Sequence, residues 1–118
     1  MPRAVARGSS HRGSLPGLLY FSNRFTRHHL ARAEMADARG FDFHLPVARW
    51  IGTGHPSGWM DESFDSIAWA SALLAQTQRL HVLATLHTAM YHLIAAAKAR
   101  ATASHIGDGR FGLNMVCG

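Results

Sequence analysis

The sequence predicts an α/β fold in which parallel strands alternate with helices. The first observation is the alternation itself, since short apolar segments are separated by longer ones with helical apolar spacing. The second is the composition, 47% hydrophobic and 16% charged, which is that of a globular chain. The third is that no apolar run approaches the roughly 20 residues needed to cross a bilayer. Strand–helix–strand units of this kind build a parallel sheet with helices packed on it.

Four short apolar segments are the predicted strands. They lie at 17–22 (GLLYFS), 41–45, 79–85 (RLHVLAT) and 110–116. The last one follows a Gly-Asp-Gly turn and would fit the core of a sheet.

Three helices are predicted between these strands. Their ranges are 26–39, 61–78 and 92–105. Thr26 is the predicted N-cap of the first helix and Gly40 ends it, while Asp61 or Ser63 caps the second. Helical spacing places one set of residues of the second helix on a common face. These residues are Phe64, Ile67, Ala68, Ser71, Leu74 and Ala75.

A ligand site is expected beyond the carboxyl ends of the parallel strands. This holds for an open sheet and for part of an eight-stranded barrel, and the periodicity leaves both open. The loop 46–60 follows a strand and is longer than the usual two to six residues. It carries Arg49, Trp50, His55 and Trp59, which suit anion contact and stacking. We therefore predict that this loop contacts substrate, the alternative being an ordinary mobile surface loop.

Charge and cysteine content restrict the class of partner. Seven arginines against two acidic residues give residues 1–39 a charge of +5, whereas five basic and five acidic residues cancel in 40–118. Because the excess is not spread over a folded face with interleaved aromatics, no nucleic-acid partner is predicted. The single Cys117 excludes an internal disulfide and is typical of a reducing, cytoplasmic location.

Residues 1–16 are rich in Arg, Ser and Gly and contain no acid. We predict a disordered basic leader there, with an organelle transit peptide as the alternative. The nine histidines do not indicate a metal site. His28 and His29 are adjacent, and His87 and His92 lack the helical pairing of a zinc motif. Neither a metal nor a membrane partner is predicted.

Three stretches carry a family resemblance. They are GFDFHLPVARW (40–50), SFDSIAWASALLAQTQRL (63–80) and HVLATLHTAMYHLIAAAKARATASHIGDGRFGLNMVCG (81–118), above all its end GRFGLNMVCG. In this order and spacing the chain resembles the N-terminal part of the bacterial luciferase-like flavin monooxygenases. The most similar branch acts on alkanesulfonates, dimethylsulfone and pyrimidines. Since that family folds as a (β/α)₈ barrel, the resemblance implies that 17–118 is an incomplete barrel, truncated at its fourth strand.

The resemblance also implies a flavin site. Ala48 and Arg49 match positions that touch the flavin after the second strand. Thr85 matches a residue beside the isoalloxazine ring, and Asn114 matches an asparagine that hydrogen-bonds it. Amide and hydroxyl groups suit the carbonyl oxygens and nitrogens of that ring. The implied reaction uses O₂ and reduced FMN from a separate flavin reductase to oxygenate a small organosulfur or nitrogen compound. The catalytic residues are unassigned, because the family's lie on later strands.

Two other interpretations stay open. One is a coenzyme F420-dependent oxidoreductase of the same superfamily. The other is an inactive remnant, for which we expect association into a homo-oligomer through open strand edges. The beginning of the chain departs from the family, since residues 20–24 lead almost directly into helix where the family has a long loop. Either that loop is deleted or residues 1–25 are not homologous.

Overall fold

The computed structural model describes residues 23–46, 48–50, 54, 56 and 63–117. Its elements in chain order are α1 (Asn23–Ala38), β1 (Phe43–His44), α2 (Ser66–Gln76), β2 (His81–His87), a 3₁₀ turn (Thr88–Met90), α3 (Leu93–Ile106) and β3 (Phe111–Val116). The predicted leader 1–16 and the predicted strand 17–22 lie outside the described residues.

The strands form one sheet in the order β1–β2–β3, and all neighbours are parallel. Phe43 pairs with His81 on one side of β2, and Thr85 pairs with Asn114 on the other. The connections through α2 and α3 are helical crossovers, and the two helices pack against each other. This arrangement confirms the predicted α/β class with parallel strands.

Two strands differ from their predicted ranges for identifiable reasons. β1 is shorter than 41–45 because the Phe41 N–H donates to Ala36 O at 3.1 Å, in the turn that ends α1. Pro46, at the other end, has no N–H to add to a ladder. β2 begins at His81 rather than at residue 79. The N–H groups of the preceding residues bond to a carboxylate of α1 instead of to a strand.

The core lies between the sheet and the helices. Val82, Ala84 and Leu86 of β2 point into it, as the period of two along a strand requires. The helices contribute Ala33, Ile67, Ala70, Leu73, Leu74, Ala96 and Ala103.

The buried face predicted for α2 is partly wrong. Ala68 and Ala75 are exposed. Alanine occurs on both the buried and the exposed sides of helices, so its spacing predicts burial poorly. The leucines of α2, in contrast, lie in the core.

The predicted helix starts are also corrected. α1 begins at Asn23, so Thr26 lies inside the helix and is not its N-cap. α2 begins at Ser66, and its N-cap is neither Asp61 nor Ser63. Asp65 caps it, because its Oδ1 accepts from the Ala68 N–H at 2.8 Å. Gly40 does follow the end of α1, with a φ of +78° that favours glycine.

A network of polar groups holds the amino end of β2. The Asp37 carboxylate, on α1, accepts from the N–H groups of Gln78, Arg79 and Leu80 at 2.8, 2.8 and 2.6 Å. The Arg110 guanidinium donates to Thr77 Oγ1, Leu80 O and Leu74 O, each at 3.0 Å. The bond from the Gln78 N–H, with those from Arg79 and Leu80, lowers the pKa of Asp37. The turn into β2 is thus fastened from both α1 and β3.

Candidate functional site

A cleft of about 270 Å³ lies at the carboxyl ends of β1 and β2. Its walls come from the segment after β1, the start of α2 and the segment after β2. The lining residues are Ala48, Arg49, Trp50, Ser63, Phe64, Asp65, Ser66, Thr85, His87 and Tyr91. The cleft therefore lies at the end of the sheet where parallel α/β folds bind ligands.

Thr85 and Asn114 lie side by side at this end of the sheet. They are paired in register, so they share the face of the sheet opposite the helices. The Asn114 amide nitrogen donates to Thr85 Oγ1 at 3.4 Å. Asn114 is exposed and Thr85 is half-buried. A hydroxyl and an amide thus face outward together, and both keep hydrogen-bonding capacity for a ligand.

Ser66 fastens the start of α2 to β2. Its hydroxyl oxygen accepts from the Thr85 N–H at 2.8 Å. The last residue of β2 that pairs with β1 is Val82, three residues before Thr85. Ser66, which is buried, therefore supplies the acceptor that a longer β1 would have supplied. This bond joins the start of α2 to the cleft residue Thr85.

Ser63 fixes the segment that follows β1. Its hydroxyl accepts from the Arg49 N–H at 3.1 Å and donates to the Arg49 carbonyl oxygen at 3.0 Å. The two bonds hold the backbone of one residue from both sides. Residues 48–50 are therefore tied to the segment that leads into α2.

Asp65 and Tyr91 connect the two sides of the cleft. While Asp65 Oδ1 caps α2, Oδ2 accepts from the Tyr91 hydroxyl at 2.8 Å. The Tyr91 ring lies 6.0 Å from that of Trp50, at an interplanar angle of 58°. Burial, together with the bond to Asp65, raises the pKa of Tyr91 to about 12. Tyr91 therefore keeps its proton at neutral pH.

The structure brings together most of the residues singled out in the sequence. Ala48, Arg49, Trp50 and Thr85 line the cleft. Asn114 adjoins it through Thr85. His55 and Trp59 lie outside the described residues, so their role stays a prediction.

Sequence reasoning missed six residues of the cleft. Three of them were considered in other roles: Ser63 as a cap, Phe64 on the apolar face of the second helix and His87 as a metal ligand. The other three are Asp65, Ser66 and Tyr91. The signal was present in the run Ser-Phe-Asp-Ser at 63–66, where polar residues cluster just before an apolar helix.

In the part of the chain that the structure describes, no group of three His, Cys, Asp or Glu side chains could hold a metal ion. Within the same residues, no helix is both long and apolar enough to cross a membrane.

The fold is that of an α/β protein with a cleft at the carboxyl ends of its parallel strands. A sequence profile of the luciferase-like monooxygenase family matches residues 8–118. The chain belongs to this family, as its resemblance predicted.

Curated relatives agree with this assignment. The chain is 32% identical over 85 residues to the pyrimidine monooxygenase RutA of Pseudomonas syringae pv. syringae, a match that covers 72% of the chain and 24% of that protein. It is 35% identical over 83 residues to RutA of Rhizobium rhizogenes, covering 70% of the chain and 23% of the relative. The chain thus spans about a quarter of the length of the curated relatives it matches.

A solved structure shares the fold. The EDTA monooxygenase EmoA of Chelativorans sp. BNC1 superposes with a TM-score of 0.61 at 22% identity. The superposition covers 78% of the chain and 21% of EmoA. At this identity the likeness concerns the fold, and it supports the description of the chain as part of a (β/α)₈ barrel.

Proposed function

We propose that the cleft binds the ring system of reduced FMN, as part of a two-component monooxygenase that uses O₂. The observation that carries the proposal is the Thr85–Asn114 pair, whose hydroxyl and amide lie 3.4 Å apart at the carboxyl ends of neighbouring strands. A separate flavin reductase would supply the reduced cofactor, and a small organosulfur or nitrogen compound would be oxygenated.

The residues of the site fit the edge of a flavin ring. The Thr85 hydroxyl accepts from Asn114 and can still donate to a ring carbonyl. The Asn114 amide oxygen can accept from a ring N–H. The volume of about 270 Å³ lies just below the roughly 300–1,000 Å³ of small-molecule pockets, which suits a ring system rather than a whole nucleotide. Bound reduced flavin would supply the electrons that activate O₂. The chain's own residues would bind the ring and orient it.

The nitrogen compound is the better supported half of the substrate class. The relatives with the identities given above are named for pyrimidines, which are nitrogen heterocycles. Trp50, Phe64 and Tyr91 add aromatic surface to the cleft, on which a planar ring can stack.

Anaerobic titration with reduced FMN tests the flavin site. In a full-length relative that carries this segment, Asn114→Ala should raise the dissociation constant of reduced FMN by about 5- to 150-fold, the equivalent of about 1–3 kcal/mol for leaving buried ligand groups unpaired. Met115→Ala is the matched control. Met115 is exposed and adjacent in β3, and it points to the opposite face. An unchanged dissociation constant for Asn114→Ala would make Asn114 a structural residue.

The reaction requires a second experiment, because the chain spans a minor part of its relatives. Residues 33–118 would replace the matching segment of the Pseudomonas syringae RutA, and the chimera would be supplied with reduced FMN and O₂. Oxygenation of a pyrimidine supports the proposed function. Turnover of an alcohol with coenzyme F420 instead would favour the F420-dependent oxidoreductase. A folded chimera that lacks both activities would support the inactive remnant.

A further inference from the structure

Three separate segments at the carboxyl end of the sheet are connected through two side chains, those of Asp65 and Ser63. Asp65 Oδ1 caps α2 and its Oδ2 accepts from Tyr91. Two residues earlier in the chain, Ser63 holds the Arg49 backbone through two hydrogen bonds. The segment after β1, the start of α2 and the segment after β2 are thus joined around the cleft.

The segment after β2 is fastened on its other side as well. The Thr88 hydroxyl donates to the Val116 carbonyl oxygen at 3.2 Å, which ties the 3₁₀ turn to the end of β3. Tyr91 lies at the far end of that turn, and its hydroxyl reaches Asp65. The turn therefore spans from β3 to α2 and closes one side of the cleft.

We propose that Tyr91 is a positioning residue: its hydrogen bond to Asp65 holds the segment 48–50, and the Trp50 ring in particular, in the geometry that binds ligand in the cleft. The identity of the ligand, reduced FMN, rests on the proposed function above. The bond itself and its effect on Trp50 do not depend on that identity.

The chemistry of the pair favours positioning over proton transfer. Tyr91 keeps its proton at neutral pH, because burial and the Asp65 bond raise its pKa to about 12. It donates that proton to a carboxylate, and hydrogen bonds to charged groups are among the stronger ones. Its ring is half-buried and contacts Trp50, which is 47% exposed. A rigid ring beside a more exposed one is suited to fixing the orientation of the latter.

Two substitutions alter the bond without removing the parts it connects, since the first removes it and the second leaves at most a bond between neutral groups. Tyr91→Phe deletes the hydroxyl and keeps the ring beside Trp50. Asp65→Asn keeps an N-cap of similar strength for α2 and removes the negative charge that Tyr91 faces. Thr102→Val is the control. It deletes another exposed hydroxyl, which bonds Lys98 O at 3.1 Å within α3.

Titration with reduced FMN under anaerobic conditions is the first measurement. Tyr91→Phe should raise its dissociation constant about tenfold, near the lower limit for a hydrogen bond to a charged group. Asp65→Asn should raise it less, because its amide can still donate to the Tyr91 oxygen. The double variant should be no weaker than Tyr91→Phe alone, because that substitution already removes the hydroxyl through which residue 65 acts. Thr102→Val should bind as the unchanged chain does. If the two variants lower the melting temperature but leave the dissociation constant unchanged, Tyr91 is merely structural and the proposal is overturned.

Fluorine NMR is the second measurement, and it needs no ligand. The chain has two tyrosines and three tryptophans, so labelling with fluorotyrosine or fluorotryptophan gives few signals. Tyr91→Phe and Trp50→Phe assign the signals of interest. Asp65→Asn should shift the Tyr91 signal and broaden that of Trp50, although both rings are chemically unaltered. Unchanged signals would overturn the proposal. Shifted signals in a chain that does not bind FMN would support the positioning role and refute the flavin site.

Discussion

The two ends of the sheet use polar side chains in opposite ways. At the amino end, the Asp37 carboxylate is 7% exposed and its acceptors are used by three backbone N–H groups. At the carboxyl end, Asn114 is exposed and Thr85 is half-buried in the cleft. The Asp37 oxygens are used to hold a turn, whereas the side chains at the carboxyl end can still hydrogen-bond a ligand. This division matches parallel barrels, where one end contributes stability and the other chemistry.

The largest expected effect is at the amino end. Asp37→Ala would leave the N–H groups of Gln78, Arg79 and Leu80 without their acceptor. Leu80 is buried, whereas Gln78 and Arg79 are exposed. We expect the free energy of unfolding to fall by about 2–3 kcal/mol, since one unpaired buried N–H costs roughly 1–3 kcal/mol and the two part-buried ones add to it. Urea denaturation measures it, and Asp42→Ala, at an exposed position before β1, is the control. A loss no greater than that of the control would show that water replaces the carboxylate at no cost.

Ser66→Ala tests the carboxyl end in the same terms. It removes the one acceptor described for the Thr85 N–H, so we expect a loss of about 1–2 kcal/mol in the free energy of unfolding. Because Thr85 lines the cleft, ligand affinity should fall as well. A loss of affinity would distinguish the carboxyl end of the sheet from the amino end. Ser71→Ala is the control, since the Ser71 hydroxyl bonds Ile67 O within α2. If Ser66→Ala alters stability but not affinity, Thr85 is held in place by the strand alone.

The smallest expected effect is on the dependence of stability on pH. Burial lowers the pKa of His44 below 6.5, and the backbone N–H groups around Asp37 lower its pKa below 3.8. In both cases the unfolded chain binds more protons, so stability falls as pH falls. The His44 contribution is complete above pH 6.5 and is lost below it, and that of Asp37 is lost below pH 3.8.

Urea midpoints measured across this range should therefore fall in two steps. His44→Gln should reduce the upper step and leave the lower one unchanged. An upper step of undiminished size in His44→Gln would assign it to another group, of which His29 is the first candidate. Burial lowers its pKa as well, and the Arg32 charge adds to the effect.

Association of two copies stays a prediction. Phe43 of β1 is 59% exposed and Met115 of β3 is 64% exposed, so both outer strands of the described sheet carry apolar side chains in contact with water. Exposed edges of this kind favour pairing between chains. Sedimentation at several protein concentrations would measure it.

Periodicity alone was sufficient for the parallel sheet and for the crossover helices. Apolar spacing located α3 to within one residue at each end, and the Gly-Asp-Gly turn located β3. The resemblance then placed Thr85 and Asn114 in one site, and the register of β2 with β3 explains why they adjoin. These features depend on apolar spacing, on turn residues and on strand direction, all of which can be inferred from the sequence.

Only the tertiary structure showed what the polar residues near the strand ends do. Asp37 bonds groups more than 40 positions away, and Tyr91 bonds Asp65 across 26 positions. No local pattern distinguishes such a carboxylate from one that simply faces water. β2 begins later than predicted for the same reason, because an N–H that donates to Asp37 does not donate to a neighbouring strand. Hydrogen bonds between distant groups depend on where the packed elements place them, and that placement arises only when the helices settle on the sheet.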